Sequence, residues 1–187
     1  YFAYWGDVDG SGTSRFIEAC KENSQVYPLR GKSCSTRAIP SLSKKFKTFH
    51  AFASAGLSEI YQPEILRRAQ KLEINELASG LLINSGNGRF VFRALPRLAQ
   101  TSPIFGMAIA DFDGDGWDDL AANQNFFPMQ PETGRLNGGM GLLLLGDGKG
   151  GFKPLMECES GILFKGDGRA LLAQDLNGDS RPDLLAS

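Results

Sequence analysis

The sequence predicts a mainly β protein built from four-stranded antiparallel sheets, with one small helical insertion. Three observations carry that expectation. An acidic loop, Asp111-Phe-Asp-Gly-Asp-Gly-Trp-Asp-Asp119, lies between two apolar runs of strand length at 105–110 and 120–122. Its spacing returns sixty-four residues later in Asp175-Leu-Asn-Gly-Asp-Ser-Arg-Pro-Asp183, again after an apolar run at 170–173. A second element, an apolar strand followed by a Gly-rich turn and an aromatic, occurs at 81–90 and at 143–152. Each pattern reads as a β-hairpin. Two hairpins per unit, repeated at about sixty residues, are what a four-stranded propeller blade requires.

The elements follow in order. Residues 1–6 form a first strand and 16–20 its partner, across a degenerate third copy of the loop, Asp7-Val-Asp-Gly-Ser-Gly-Thr-Ser-Arg15. The polar stretch 21–35 is a hairpin or loop. From Pro40 the period changes: Leu42, Phe46, Phe49 and Ala53 recur at helical spacing, with Ser41 as cap. Ser58 opens a second helix with Pro63 in its first turn and an apolar stripe of Ile65, Leu66, Ala69 and Leu72. This helical hairpin occupies about 36–76, between the second and third strands of a blade, and its removal is expected to leave the strands able to form. Strands at 77–84 and 90–92 complete blade one (1–103). Blade two (104–165) has strands near 105–110, 119–124, 140–145 and 151–155. The link 125–139 is expected to be an exposed loop. Asn123, Asn125, Phe126, Phe127 and Met129 are its candidate contact residues, unless the aromatics merely cover the blade. Blade three begins at 166. A closed propeller needs at least four blades, so these two and a half are expected to belong to a longer protein whose neighbouring blades are missing here.

The acidic loop carries the chemistry. Asp111, Asp113, Asp115 and Asp119 repel one another in water, and closing the loop concentrates that charge. An all-oxygen set without His or Cys calls for a hard divalent cation, calcium. Alternate residues 111, 113 and 115 can face one centre, while Gly114 and Gly116 permit the turning. The Trp117 carbonyl and both oxygens of Asp119 complete a shell of about six or seven oxygens. Asp175, Asn177, Asp179, the Arg181 carbonyl and Asp183 form a weaker second site with one carboxylate fewer. An EF-hand is excluded, because its twelfth position needs Glu and here holds Ala122, with no helix on either side. In the 7–15 loop Ser11 replaces a carboxylate and Arg15 takes the closing position, so that copy is expected to be metal-free.

Composition narrows the function. The chain has 187 residues, a formal charge of −1 and no apolar run long enough to span a membrane. Residues 15–72 hold eleven Lys or Arg against four Glu, and residues 73–187 nine against fifteen acidic groups. The basic region is either a solvated helix face or a dock for an anionic partner. No recognised nucleic-acid motif accompanies it. The lone His50 has no nearby triad partner and is expected to pack at a helix edge. Of the three cysteines, Cys20 and Cys34 are candidates for one disulfide, and Cys158 is expected to be a buried free thiol.

On these residues the chain resembles the FG-GAP or VCBS repeat family, the calcium-binding blades of propellers similar to the integrin α-subunit head. Phe105-Gly106 ahead of the acidic loop and the 143–152 hairpin fit that pattern. The helical excursion is similar to one in some bacterial proteins of this type. The resemblance implies a propeller of about seven blades in an extracellular or cell-surface protein. Its role would be recognition, adhesion or scaffolding, with a protein or glycan ligand. Carboxylates committed to a cation are poor general bases, so the expectation is a non-enzymatic segment. The alternative is the propeller portion of a secreted polysaccharide lyase or glycosidase whose catalytic residues lie outside this chain.

Overall fold

The computed structural model describes residues 1–129 and 133–187, which form two compact units, Tyr1–Leu77 and Ala78–Ser187. The protein is mainly β, as expected, with antiparallel sheets of two to four strands.

In the first unit, β1 (Phe2–Gly6), β2 (Arg15–Glu22) and β3 (Gln25–Pro28) run as a meander. Five short helices follow: α1 (Lys32–Ala38), α2 (Ser41–Lys45), α3 (Phe49–Ala53), α4 (Leu57–Ile60) and α5 (Pro63–Arg68). A last strand, β4 (Gln70–Glu73), returns to pair with the free edge of β1, giving the order β3-β2-β1-β4. The β1–β2 register sets Tyr4 opposite Ile17 and Phe2 opposite Ala19. One face of the sheet is thereby apolar, and it packs on Ile39, Leu42, Phe46, Phe52, Leu57 and Ile60 from the helices.

Several expectations change here. The first helix breaks at Phe46, whose backbone turns extended, and Thr48 caps a new one by accepting the Ala51 N–H at 3.1 Å. Phe46 meets Phe52 edge-on at 5.4 Å, whereas Phe49 is 67% exposed and lies outside the core. Gly56, not Ser58, precedes α4, its N–H held by the Glu59 carboxylate at 2.6 Å. Leu72 belongs to β4, opposite Ala3, and is exposed. His50 is exposed on α3. The insertion therefore lies between the third and fourth strands of its sheet and supplies most of the core beneath it. The strands assigned to the outer half of blade one, β5 (Gly80–Gly86) and β6 (Arg89–Ala94), instead form a two-stranded sheet in the second unit. Residues 1–103 are thus not one sheet: β4, which follows α5 directly, has already filled the edge of β1.

The second unit contains a full meander. β7 (Ile104–Ala110), β8 (Asp119–Gln124), β9 (Leu142–Gly146) and β10 (Phe152–Leu155) pair in the order β10-β9-β8-β7, with the boundaries the apolar runs predict to within two residues. β8 is central and buried at every position. Leu120, Ala122, Leu142 and Leu144 pack with Leu95 and with Ala99, the buried residue of a 3-10 turn at Arg97–Gln100. After the single helical turn α6 (Glu157–Ser160), β11 (Leu171–Gln174) and β12 (Asp183–Ala186) form the next hairpin, with β11 packed along β7. The link 125–139 is not simply exposed. Phe126 and Leu136 exchange both backbone hydrogen bonds, at 2.8 and 3.0 Å, and Asn125 is fully buried. Pro131 lies outside the described residues.

Among the described residues no disulfide joins Cys20 to Cys34, and Cys158 is exposed, because it sits on the solvent-facing turn α6. Among the described residues no helix is long and apolar enough to cross a membrane.

Candidate metal centre

All three acidic loops bridge a β-hairpin in one register. The residue before each loop pairs with its ninth residue: Gly6 with Arg15, Ala110 with Asp119, and Gln174 with Asp183. The ladder fixes both ends, so the intervening residues have only to turn inward.

In the 111–119 loop the turning is driven by backbone amides. Asp111 Oδ1 accepts the N–H of Gly114 at 2.7 Å and of Asp115 at 3.2 Å, and its Oδ2 accepts Gly116 N–H at 2.9 Å. Asp113 Oδ1 accepts Asp115 N–H at 3.1 Å, and Asp115 Oδ1 accepts Trp117 N–H at 2.8 Å. Gly114 (φ 82) and Gly116 (φ 89) adopt the left-handed backbone this requires. Oxygens of Asp111, Asp113 and Asp115 come within 4.8 Å of one another, with Asp111 half-buried and the other two exposed. Three carboxylates at that separation, all hard oxygen donors, can hold a metal ion.

Asp119 stands outside this trio. It is 1% exposed, and its two oxygens accept the Phe112 N–H and the Gly146 N–H, each at 2.8 Å. It ties the start of the loop to the start of β8 and to the end of β9. Trp117 reaches the same hairpin from outside: a Cβ built on Gly148 falls 2.3 Å from the indole.

The 175–183 loop repeats the frame. Asp175 accepts N–H groups from Gly178 (2.7 Å), Asp179 (3.2 Å) and Ser180 (2.9 Å). Asn177 Oδ1 accepts Asp179 N–H at 2.9 Å, Asp179 Oδ1 accepts Arg181 N–H at 2.9 Å, and Asp183 Oδ2 accepts Leu176 N–H at 2.9 Å. The amides of Ser180 and Gly178 hold the Asp175 carboxyl below the usual carboxylate range. With one carboxylate fewer, this loop does not form a comparable three-acid cluster among the described residues.

In the 7–15 loop, Arg15 Nε donates to Asp9 Oδ2 at 3.2 Å. The Ser11 hydroxyl and the Arg15 charge are among the groups that keep the Asp9 carboxyl low.

Residues 74–122 match the model of a family described as FG-GAP-like repeat. That stretch is similar to an FG-GAP-like repeat. The matched stretch takes in the β5–β6 hairpin, β7, the whole 111–119 loop and the first four residues of β8. No curated protein and no solved structure matches the chain.

The Phe-Gly pair of this repeat has a visible role. Gly106 N–H donates to Asn123 Oδ1 at 2.9 Å, and a Cβ on Gly106 falls 2.6 Å from that oxygen and 2.8 Å from the backbone of Ala170. Phe105 lies 5.5 Å from Phe126, with the Arg169 guanidinium over both rings at 4.5 and 4.9 Å. Asn123 and Asn125, candidate contact residues by sequence, are buried and bonded to backbone, Asn125 reaching the carbonyls of Gly139 and Gly166 at 3.0 Å. They hold chain segments together.

Proposed function

We propose that this chain is a calcium-binding segment of a β-propeller in an extracellular protein, serving recognition, adhesion or assembly and not catalysis. The observation that carries the reading is the convergence of Asp111, Asp113 and Asp115 within 4.8 Å in a loop already folded around Asp111 by its own amides. Such a site needs little reorganisation to take a cation. The Trp117 carbonyl and Asp119 are the remaining candidate ligands there, and Asp175, Asn177, Asp179, the Arg181 carbonyl and Asp183 form the second, weaker set. When bound, calcium supplies a divalent charge that offsets the repulsion among these carboxylates. The chain's own part is to orient the oxygens and hold the strand ends. Dissociation constants of about 10⁻⁴–10⁻³ M are expected, as in extracellular modules. Calcium calorimetry on the 187-residue chain tests this. Asp115→Asn should weaken the tighter site and spare the other. Calcium uptake unaltered by both Asp113→Asn and Asp115→Asn would refute the assignment.

A further inference from the structure

The 7–15 loop keeps the frame of the other two but not their contents. Ser11 N–H donates to Asp7 Oδ1 at 3.0 Å and to Asp9 Oδ1 at 3.2 Å, and Gly12 N–H donates to Asp7 Oδ2 at 2.8 Å. These bonds match, position for position, those made by the amides of Asp115 and Gly116. The residues do not fit a divalent cation, however. Only two carboxylates remain at the ligand positions, and Asp9 already holds a guanidinium.

The second position of the loop differs as sharply. Leu176 is 57% exposed and Phe112 half-buried, whereas Val8 is 3% exposed and packs into the cluster made by the helices. A bound cation does two things for such a loop: it neutralises converging carboxylates, and it ties separated positions together. Here Arg15 supplies the charge and Val8 supplies the tie, anchored on Ile39, Leu42 and their neighbours.

We infer that Arg15 and the helical insertion, through Val8, take the place of a metal ion in the first loop, so that residues 1–77 are a calcium-independent unit and any calcium response is confined to residues 78–187. The second half of this statement rests on the calcium reading of the two later loops, whereas the first half does not.

Amide spectra of the ¹⁵N-labelled 187-residue chain during calcium titration test it. Gly114, Gly116 and Gly178 should shift and saturate, and Gly10 and Gly12 should stay in place. Saturable shifts at Gly10 and Gly12 would overturn the inference. Val8→Asn and Arg15→Gln should each speed amide exchange at Ser11 and Gly12 by about tenfold or more, equally with and without calcium. Unchanged exchange, or recovery of protection on adding calcium, would also overturn it. If Val8→Asn does not fold, Val8→Ala carries the same expectation in smaller measure. Silence at Gly114 and Gly178 as well would remove the calcium reading of the later loops, and the exchange data would still decide the roles of Arg15 and Val8.

Discussion

Asn123 Nδ2 donates to the Ala170 carbonyl at 2.8 Å while its Oδ1 receives the Gly106 amide at 2.9 Å, so one buried side chain joins β7, β8 and the approach to β11. Replacing it by Leu leaves an amide and a carbonyl without partners in a buried place. The expected loss is about 2–4 kcal/mol of unfolding free energy, read by urea denaturation. Gly106→Ala should be at least as damaging, because its Cβ has no room.

Asp119 and Asp115 should separate by experiment. Asp119→Ala orphans the Phe112 and Gly146 amides and is expected to destabilise the second unit by about 2–4 kcal/mol even in a chelator. Asp115→Ala should change calcium-free stability by less than about 1 kcal/mol, because that side chain is exposed. Equal effects of the two substitutions in chelator would contradict the division of labour drawn from the geometry.

Calcium removal should loosen the hairpins without rearranging them. The ladder already holds the loop ends, and no second packed arrangement awaits selection. If the loops bind calcium as proposed, each site would contribute about 1 kcal/mol by mass action at millimolar calcium and weak affinity. Chelation is expected to lower the melting temperature and to favour protease cutting near 111–119 and 175–183. Trp117, seated against Gly148, should report the same event as a fluorescence change that Asp113→Asn removes.

Acid should weaken the β9–β10 turn. Asp147 accepts the Lys149 and Gly151 amides, each at 2.8 Å, and these hold its carboxyl below the ordinary value of 3.8. A folded-state value lower than the unfolded one gives stability that is present above about pH 4 and is lost as pH falls through the folded value. Amide exchange at Lys149 and Gly151 should therefore accelerate below pH 4 beyond its intrinsic trend. Asp147→Asn should flatten that dependence.

The helical insertion is structural. Phe52 is 3% exposed between Phe46 and the rest of the cluster, and Phe52→Ala is expected to cost about 3–5 kcal/mol. Replacing residues 32–68 by a short linker would uncover Tyr4 and Ile17 and should unfold the first unit, which circular dichroism and one-dimensional NMR would show. This reverses the sequence-based expectation that the segment is dispensable.

What the sequence made legible is local. The Asp spacing and the flanking apolar runs place β7, β8, β11 and β12, because a hairpin is fixed by residues close in the chain. The convergence of Asp111, Asp113 and Asp115 follows from the same spacing. What depends on distant partners was hidden. Phe49 keeps a helical interval from Phe46, yet Thr48 caps a separate helix and turns Phe49 outward. Leu72 fits the α5 stripe, but the vacant edge of β1 draws it into a strand. Asp119 carries the charge of a ligand, and only the arrival of Gly146 from β9 shows where its second oxygen goes.

The pairing of β4 with β1 sets a timetable for synthesis. Phe2 lies opposite Glu73, so the first sheet closes across nearly its whole unit, whereas β7, β8 and β9 each pair with their immediate successor. Pairing between distant segments is slower than pairing between neighbours, because the intervening chain must first be brought to order. As the chain leaves the ribosome, β1 and β2 appear before β4, and that edge of β1 gains its β4 partner only once all five helices and β4 have been made. During that interval Trp5 and Phe16, opposite each other in the ladder, stand beside an unpaired backbone. Rapid collapse of the helices onto Tyr4 and Ile17 is expected to keep such an edge from recruiting another nascent chain.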